Sequence, residues 1–466
     1  MRGSQSGPFL TAMLWRKPKG CYAMNTIPRY IALALATGAS FGAATIALGQ
    51  ETIYARPERM VERIHALSRF GANPEGGVSR VAFSDADLAG RTYIMELMRN
   101  ADLDVRVDTA GNIIGRRAGR HDGLPPILFG SHIDSVPGGG NYDGDVGVIA
   151  AIEVIELLNE NGIETRHPLE VVSFTDEEGG LTGSRAIIGK LTEEAMQVIS
   201  HSGMAIRDGI RHVGGDPDRL DLAVRKPGEL AAYIELHIEQ GAILDEENID
   251  IGVVEGIVGI RWWDVTVEGM ANHAGTTPMN RRRDAMVTAA ELTLAINRIA
   301  SELEGRQVAT VGRIQASPGA PNVIPGRVTM SLEIRDLDAA KLQRVFDLIE
   351  AEAGRIAEAR STLIQFEEVD VASPPAPTDD RMRDIIASAA DELGLSYRRM
   401  PSGAGHDAQD LTLIAPTGMI FVPSVDGISH SPQEFTSAQD MANGASVLLW
   451  TVLAVDGGAL DTASGE

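Results

Sequence analysis

Short apolar runs that break off into His, Asp or Glu recur along this chain, and they restrict its fold more than any other feature. Runs 127–130 and 169–175 are rich in β-branched and apolar residues, as buried strands are, and a helix-like segment, 145–158, lies between them. Strand, helix, strand in that order indicates an α/β domain with a largely parallel central sheet, because parallel neighbours need a crossover to join them. Amphipathic spacing at 58–70 and 85–98 adds two helices ahead of the first run. Open sheets of this kind carry their sites at the carboxyl ends of the strands, which is where the ionisable residues fall.

A second pattern begins near Val253. Residues 260–267 alternate as a strand, 284–303 form a long helix, 308–316 and 328–334 are strands, and 337–359 is another helix. This βαββαβ-like order is long enough for a small α+β unit with its own core. On its first strand, one of Trp262 and Trp263 should face that core and the other the surface. The stretch Ser373-Pro374-Pro375-Ala376-Pro377 closes the unit, and helix 380–393, strand 419–422 and helix 437–455 return to the first pattern. The expected organisation is a leader at 1–49, a larger domain in two parts, 50–252 and 373–466, and a smaller domain inserted at 253–372.

The net charge of −24 argues against nucleic acid or anionic lipid as the main partner. Residues 30–48 are apolar enough to approach a membrane span, but Met24, Arg29 and the small residues of Ala47-Leu48-Gly49 read as a secretory signal with its cleavage site. Cleavage would place the chain in the periplasm or outside the cell, with no stable membrane association; an uncleaved leader or a cytoplasmic chain is the alternative. The only cysteine, Cys21, lies in the leader, so the rest of the chain offers neither disulfides nor thiolate ligands.

Four constellations carry chemistry. His132 and Asp134 point the same way at the end of run 127–130, as a structural pair or as a metal-ligating imidazole with its carboxylate partner. A glycine-rich turn follows, with Asp143 and Asp145 opening a helix, where plain N-capping is an alternative. Asp176, Glu177 and Glu178 emerge together from run 169–175 and repel one another unless a cation or protons intervene. Glu235, His237 and Glu239 share one face of a strand, which cannot be buried without partners. His430 follows the strand at 419–422. Imidazole and carboxylate donors without sulfur suit Zn²⁺, Mn²⁺, Co²⁺ or Ni²⁺, and metal-assisted hydrolysis is the economical reading. By contrast, His65, His121, His167, His201 and His212 lie outside every motif, and Arg281-Arg282-Arg283 reads as a solvated or acid-paired cluster.

The motifs GSHIDSVPGGGNYDGDVG, FTDEEGG, ELHIEQG, NHAGTTPM with RRDA, PNVIPG, EIRD, GAGHDA and SHSPQE together resemble those of the M20-type binuclear metallohydrolases. The closest likeness is to the amidase/hydantoinase/carbamoylase branch, which holds N-carbamoyl-L-amino-acid hydrolases, β-ureidopropionases, allantoate amidohydrolases and ureidoglycolate amidohydrolases. The resemblance implies a metallopeptidase-like α/β catalytic domain with an inserted dimerisation or lid domain, a homodimer, and a small ureido acid as substrate. It also implies two divalent metal ions, zinc first among the candidates, with Asp143 bridging, His132 and His237 on one ion, and Glu178 and His430 on the other. Glu177 would be the general base and Asp134 the orienter of His132. Gln240, His273, Asn322, Arg335 and His406 would contact substrate, His273 from the partner subunit; a salt bridge to Asp336 or Asp338 is the plain alternative for Arg335. The remaining alternatives are a peptidase or aminoacylase of the same family and a catalytically silent binding protein on its scaffold.

Overall fold

A computed structural model describes residues 52–461, so the leader and its cleavage site fall outside it. No helix among the described residues is long and apolar enough to cross a membrane. Strands β1 (Asp104–Val107), β2 (Ile113–Arg117), β3 (Ile127–His132), β4 (Leu169–Phe174), β5 (Ala232–Ile238) and β6 (Ile251–Ile257) belong to one nine-stranded sheet. Strands β7 (Gly259–Glu268), β8 (Asn272–His273), β9 (Val308–Thr310), β10 (Ile314–Ser317), β11 (Val323–Ile324), β12 (Arg327–Asp336) and β13 (Leu363–Ser373) lie outside it, and β14 (Ala376–Pro377), β15 (Tyr397–Ser402) and β16 (Thr417–Val422) return to it.

The larger sheet is ordered β1-β2-β4-β3-β5-β16-β6-β14, with β15 also on β6. Its centre, β4-β3-β5-β16, is parallel, and the outer pairs β1-β2, β2-β4, β16-β6 and β6-β14 are antiparallel. Every residue of the four central strands is buried, which explains why they read as continuous apolar runs. Helices Pro57–Leu67, Asp85–Asn100, Asp145–Glu160, Asp380–Glu392 and Ala438–Asp456 contribute to the core on one face. Short helices Thr182–Ile187 and Ala408–Leu411 contribute to a second core. Helix Asp145–Glu160 is the most enclosed, and its buried Glu153 accepts from Arg59 Nη2 at 2.7 Å and from the Arg56 amide at 3.0 Å.

The inserted strands form a five-stranded antiparallel sheet, β10-β12-β7-β13 with β9 on β12. Helices Ala285–Glu302 and Ala339–Arg360 pack on it around a separate core. Trp263 is buried there, stacked on Phe346 at 4.4 Å, and Trp262 is exposed, as period-two alternation requires. A two-stranded ladder, β8 with β11, stands apart from both sheets.

Three details depart from expectation. Val253 sits inside β6, paired with Ile420, because the apolar run continues in the larger sheet as far as Ile257. The single strand expected over 308–316 is two, β9 and β10, pairing with different parts of β12. The expected helix 337–359 begins at Ala339, since the Asp338 side chain accepts from the Ala340 amide at 2.8 Å and caps it.

Candidate active site

Because β4, β3, β5 and β16 run parallel, their carboxyl ends share one edge, and the ionisable residues meet there. His132 ends β3, Glu177 and Glu178 follow β4, His237 lies one residue from the end of β5, and His430 is on the loop after β16. Asp143 reaches the same point from the turn ahead of helix Asp145–Glu160. Its Oδ1 lies 3.0 Å from His237 Nε2 and 3.8 Å from His132 Nε2, and its Oδ2 lies 3.2 Å from His430 Nε2. His430 Nε2 is in turn 3.5 Å from Glu178 Oε2. Two groups result, His132-Asp143-His237 and Asp143-Glu178-His430, each with its donor atoms within 4.8 Å of one another and Asp143 common to both. Gly144 is required here: its φ is +68° and a Cβ would stand 2.4 Å from the His132 ring.

Orientation is fixed from behind. His132 Nδ1 lies 3.0 Å from the Asp134 carbonyl and His237 Nδ1 2.8 Å from the Ile238 carbonyl. Carbonyls only accept, so both rings carry a proton on Nδ1 and, when neutral, as a metal ligand must be, turn an Nε2 lone pair toward Asp143. Asp134 therefore orients His132 mainly through its main chain; its carboxylate, 3.7 Å from Nδ1, accepts instead from the Glu177 and Glu178 amides at 3.2 Å each. The acidic turn is pinned by a buried carboxylate.

The donor set fits divalent cations. His132 Nε2, His237 Nε2 and Glu178 Oε1 are buried without a hydrogen-bond partner among the described residues, an expensive state for polar atoms with nothing to bind. Burial raises Glu178 to about 8, aided by the Asp143 charge, and holds Glu177 well above the carboxylate range, aided by Asp407 and Glu178. Burial lowers His132 to about 4; His237 rises to about 9, its burial outweighed by Asp143. Carboxylates this crowded resist ionising together unless positive charge lies among them. Backbone strain collects here as well: Asp176, Gln240 and His430 hold positive φ of 56°, 57° and 53°.

Glu177 Oε2 is 3.7 Å from His132 Nε2. Gln240 Nε2 donates to Asp143 Oδ2 at 2.7 Å, leaving its Oε1 buried and unpartnered. His406 is buried edge-on to His237, ring centroids 4.5 Å apart, with Nε2 2.8 Å from Ser402 Oγ. Arg335 bonds neither Asp336 nor Asp338; its Nε and Nη2 donate to Glu333 at 2.9 and 3.2 Å and its Nη1 to the Gly403 carbonyl at 2.6 Å, across from the inserted part to the larger sheet. Asn322 and His273 are exposed beside the β8-β11 ladder, and neither bonds the two donor groups. The acidic strand face is satisfied by buried donors, whereas Arg281 and Arg283 of the arginine run are exposed, as a solvated cluster would be. Glu235 takes Ser131 Oγ and the Ala408 amide, Glu239 takes the Ile243 and Leu244 amides, and Arg282 and Arg283 donate to main-chain carbonyls.

Two contributors escape the sequence reading. Glu434 accepts from the amides of Tyr142 (2.9 Å), Asp143 (3.0 Å) and His430 (3.3 Å) and from Ser429 Oγ (2.9 Å), tying the bridging turn to the His430 loop. Its place in SHSPQE, four residues after His430, was the one available signal. Arg80, fully buried, ties Asp145 Oδ2 (2.5 Å) to the Ile133 carbonyl (2.6 Å), and nothing in its local sequence marks it.

Residues 128–454 match the profile of peptidase family M20/M25/M40. An N-carbamoyl-L-amino acid amidohydrolase of Geobacillus stearothermophilus is 42% identical over 400 residues, covering 85% of this chain and 97% of that one. A ureidoglycolate hydrolase of Arabidopsis thaliana is 39% identical over 402 residues, covering 84% of each. The crystal structure of an amidase of the hydantoinase/carbamoylase family from Burkholderia multivorans superposes with a TM-score of 0.80 at 38% identity, covering 87% of this chain and 99% of the other. With the profile spanning most of its length and relatives this similar end to end, the chain belongs to peptidase family M20/M25/M40.

Proposed function

We propose that the chain is a metal-dependent amidohydrolase that cleaves the ureido C–N bond of an N-carbamoyl-L-amino acid or a related ureido acid and releases ammonia. The observation that carries this is Asp143, shared by two donor groups with the Glu177 carboxylate alongside; the activities named for the Geobacillus and Arabidopsis relatives support the bond class. His132, Asp143 and His237 would hold one divalent ion and Asp143, Glu178 and His430 a second, with zinc the first candidate and manganese, cobalt or nickel the others; bound there, they supply Lewis-acid polarisation and a more acidic water. Glu177 takes the proton of the attacking water on its carboxylate and returns it to the departing nitrogen. Asp134 holds Glu177 for that task through the turn's amides.

Gln240 has spent its amide N–H on Asp143, so Oε1 is the atom left to accept a ureido N–H. Arg335 offers the substrate carboxylate its charge and the N–H bonds of Nη1 and Nη2 that Glu333 and the Gly403 carbonyl do not take, Asn322 adds a polar contact, and burial keeps His406 uncharged beside His237. His273 Nδ1 accepts from the amides of Gly275 (3.0 Å) and Thr276 (3.3 Å), which leaves its proton on Nε2. An Nε2–H donor suits the oxyanion of a tetrahedral intermediate. Since His273 bonds its own loop and not its own chain's donor groups, we assign it to the site of a second copy, in a homodimer.

The test is an assay of metal-loaded protein against N-carbamoyl-L-amino acids, N-carbamoyl-β-alanine, allantoate and ureidoglycolate, with N-acyl amino acids and dipeptides alongside. Ammonia released from ureido acids and suppressed by chelation is the expected result. Preferential cleavage of dipeptides or acyl amino acids would make it a peptidase or aminoacylase, and metal binding without any turnover a binding protein.

A further inference from the structure

Gln240 and Arg335 open onto a cavity of about 590 Å³, and two more guanidiniums line it, those of Arg306 and Arg398. Arg306 precedes β9 in the inserted part, while Arg398 is on β15 of the larger sheet. In a chain of net charge −24, three arginines from three separate segments meet around one cavity, each held by one glutamate, Glu333, Glu255 or Glu247. One arginine suffices for the single carboxylate of a simple ureido acid.

The two extra arginines are only partly used. Arg306 Nη1 donates to Glu255 at 2.9 Å and Arg398 Nη1 to Glu247, and Nε and Nη2 of each have no partner among the described residues. Glu239, the acid in the cavity wall, is taken by the Ile243 and Leu244 amides at 3.0 and 2.8 Å, so it does not occupy either guanidinium. The same lining has an apolar part, formed by Ile243, Met400 and Pro401. An apolar stem with an anionic end matches such a wall: methylenes against Ile243 and Met400, and an acid against free N–H edges.

We infer that the preferred substrate carries a second carboxylate at the end of its side chain, making it the ureido derivative of an acidic amino acid. Arg306 and Arg398 are its specificity-determining residues. This rests on the ureido-acid reading above and narrows it.

The test compares kcat/KM for N-carbamoyl-L-glutamate and N-carbamoyl-L-glutamine on the metal-loaded enzyme, a pair alike in shape and different in charge. The acid should be favoured by about tenfold or more, the worth of one charge-assisted contact in a partly enclosed site. Raising the salt to about 1 M, where the Debye length is about 3 Å, should shrink the ratio. Arg306→Gln and Arg398→Gln should each lower the ratio and the double variant bring it close to one. A wild-type ratio of one or below overturns the inference whether or not the variants fold, as does a ratio that both substitutions leave unchanged. If neutral ureido acids are cleaved and the acid is not preferred, this inference alone fails; if no ureido acid is cleaved, the proposed function fails and takes it along.

Discussion

Asp143, buried, and Glu177, partly buried, are carboxylates at the same sheet edge, yet substitution should separate them. Glu177→Gln keeps size and removes only the proton acceptor, so metal content measured by mass spectrometry should hold while turnover falls by about 10²–10⁴-fold. Asp143→Ala removes the charge common to both donor groups and should release metal; the opposite pattern would reverse the two roles. Behind the site, burial raises Asp87 to about 6 against an ordinary 3.8, with the Asp134 charge adding to it, although Arg91 and the Phe83 amide, which donates at 2.8 Å, oppose it. Between those values the folded chain binds the proton more tightly than the unfolded one, so this group's contribution to stability falls as pH rises through about 4 to 6. Asp87→Asn keeps an acceptor for Phe83 and removes the charge. In urea titrations it should gain on the parent by up to about 3 kcal/mol between pH 4 and 7, and a pH-independent difference would count against the assignment. His132, Glu178, His237 and His430 stood out in the sequence because they fall at or just after strand ends, whereas Asp143, on a helix-opening turn, stood out only through the family's motif. Arg80 did not, and Glu434 had only its place in SHSPQE to mark it, since each acts mostly on main-chain atoms that only the folded chain brings to it.

At the scale of elements, helix Asp145–Glu160 matters most, because Asp143 sits on the turn that feeds it. Helix Pro57–Leu67 is clamped to it by Arg59 and Arg63 on Glu153 and Glu156, with Arg63 Nη2 2.6 Å from Glu156 Oε1. Glu153 is wholly buried, and Arg59 retains Glu160 and some solvent when it is lost. Glu153→Ala should therefore cost about 2 kcal/mol in urea unfolding, the scale of a charge-assisted hydrogen bond; no loss would mean the clamp is inert. Long periodic helices and fully buried strands were readable from sequence. Edge strands such as β1, Asp104-Val105-Arg106-Val107, and β15, with Arg398 and Arg399, were not, for a half-exposed strand carries too few apolar positions to stand out from a loop.

For the molecule as a whole, assembly is the open claim. Mixing His273→Ala subunits with Glu177→Gln subunits, each inactive alone, should restore activity in the mixed dimer, because one of its sites then holds both an intact base and an intact partner histidine. A stable mixed dimer that stays inactive would return His273 to its own loop. The two-part pattern of the chain was evident from the change in periodicity, but its point of departure was not, because β6 continues the apolar signal of the first part up to Ile257.

The place of β16 governs how the chain can be made. It lies at the centre of the larger sheet, between β5 and β6, yet it is the last strand in sequence. On the ribosome, β5 and β6 must wait with apolar edges open while the inserted part, which has its own core, is completed ahead of them. A nascent chain stalled before Thr417 thus leaves one open edge on each of two strands from the heart of the molecule, and such edges are templates for aggregation. Soluble yield of this protein should depend on protection of those open edges during elongation more than on the stability of the finished fold.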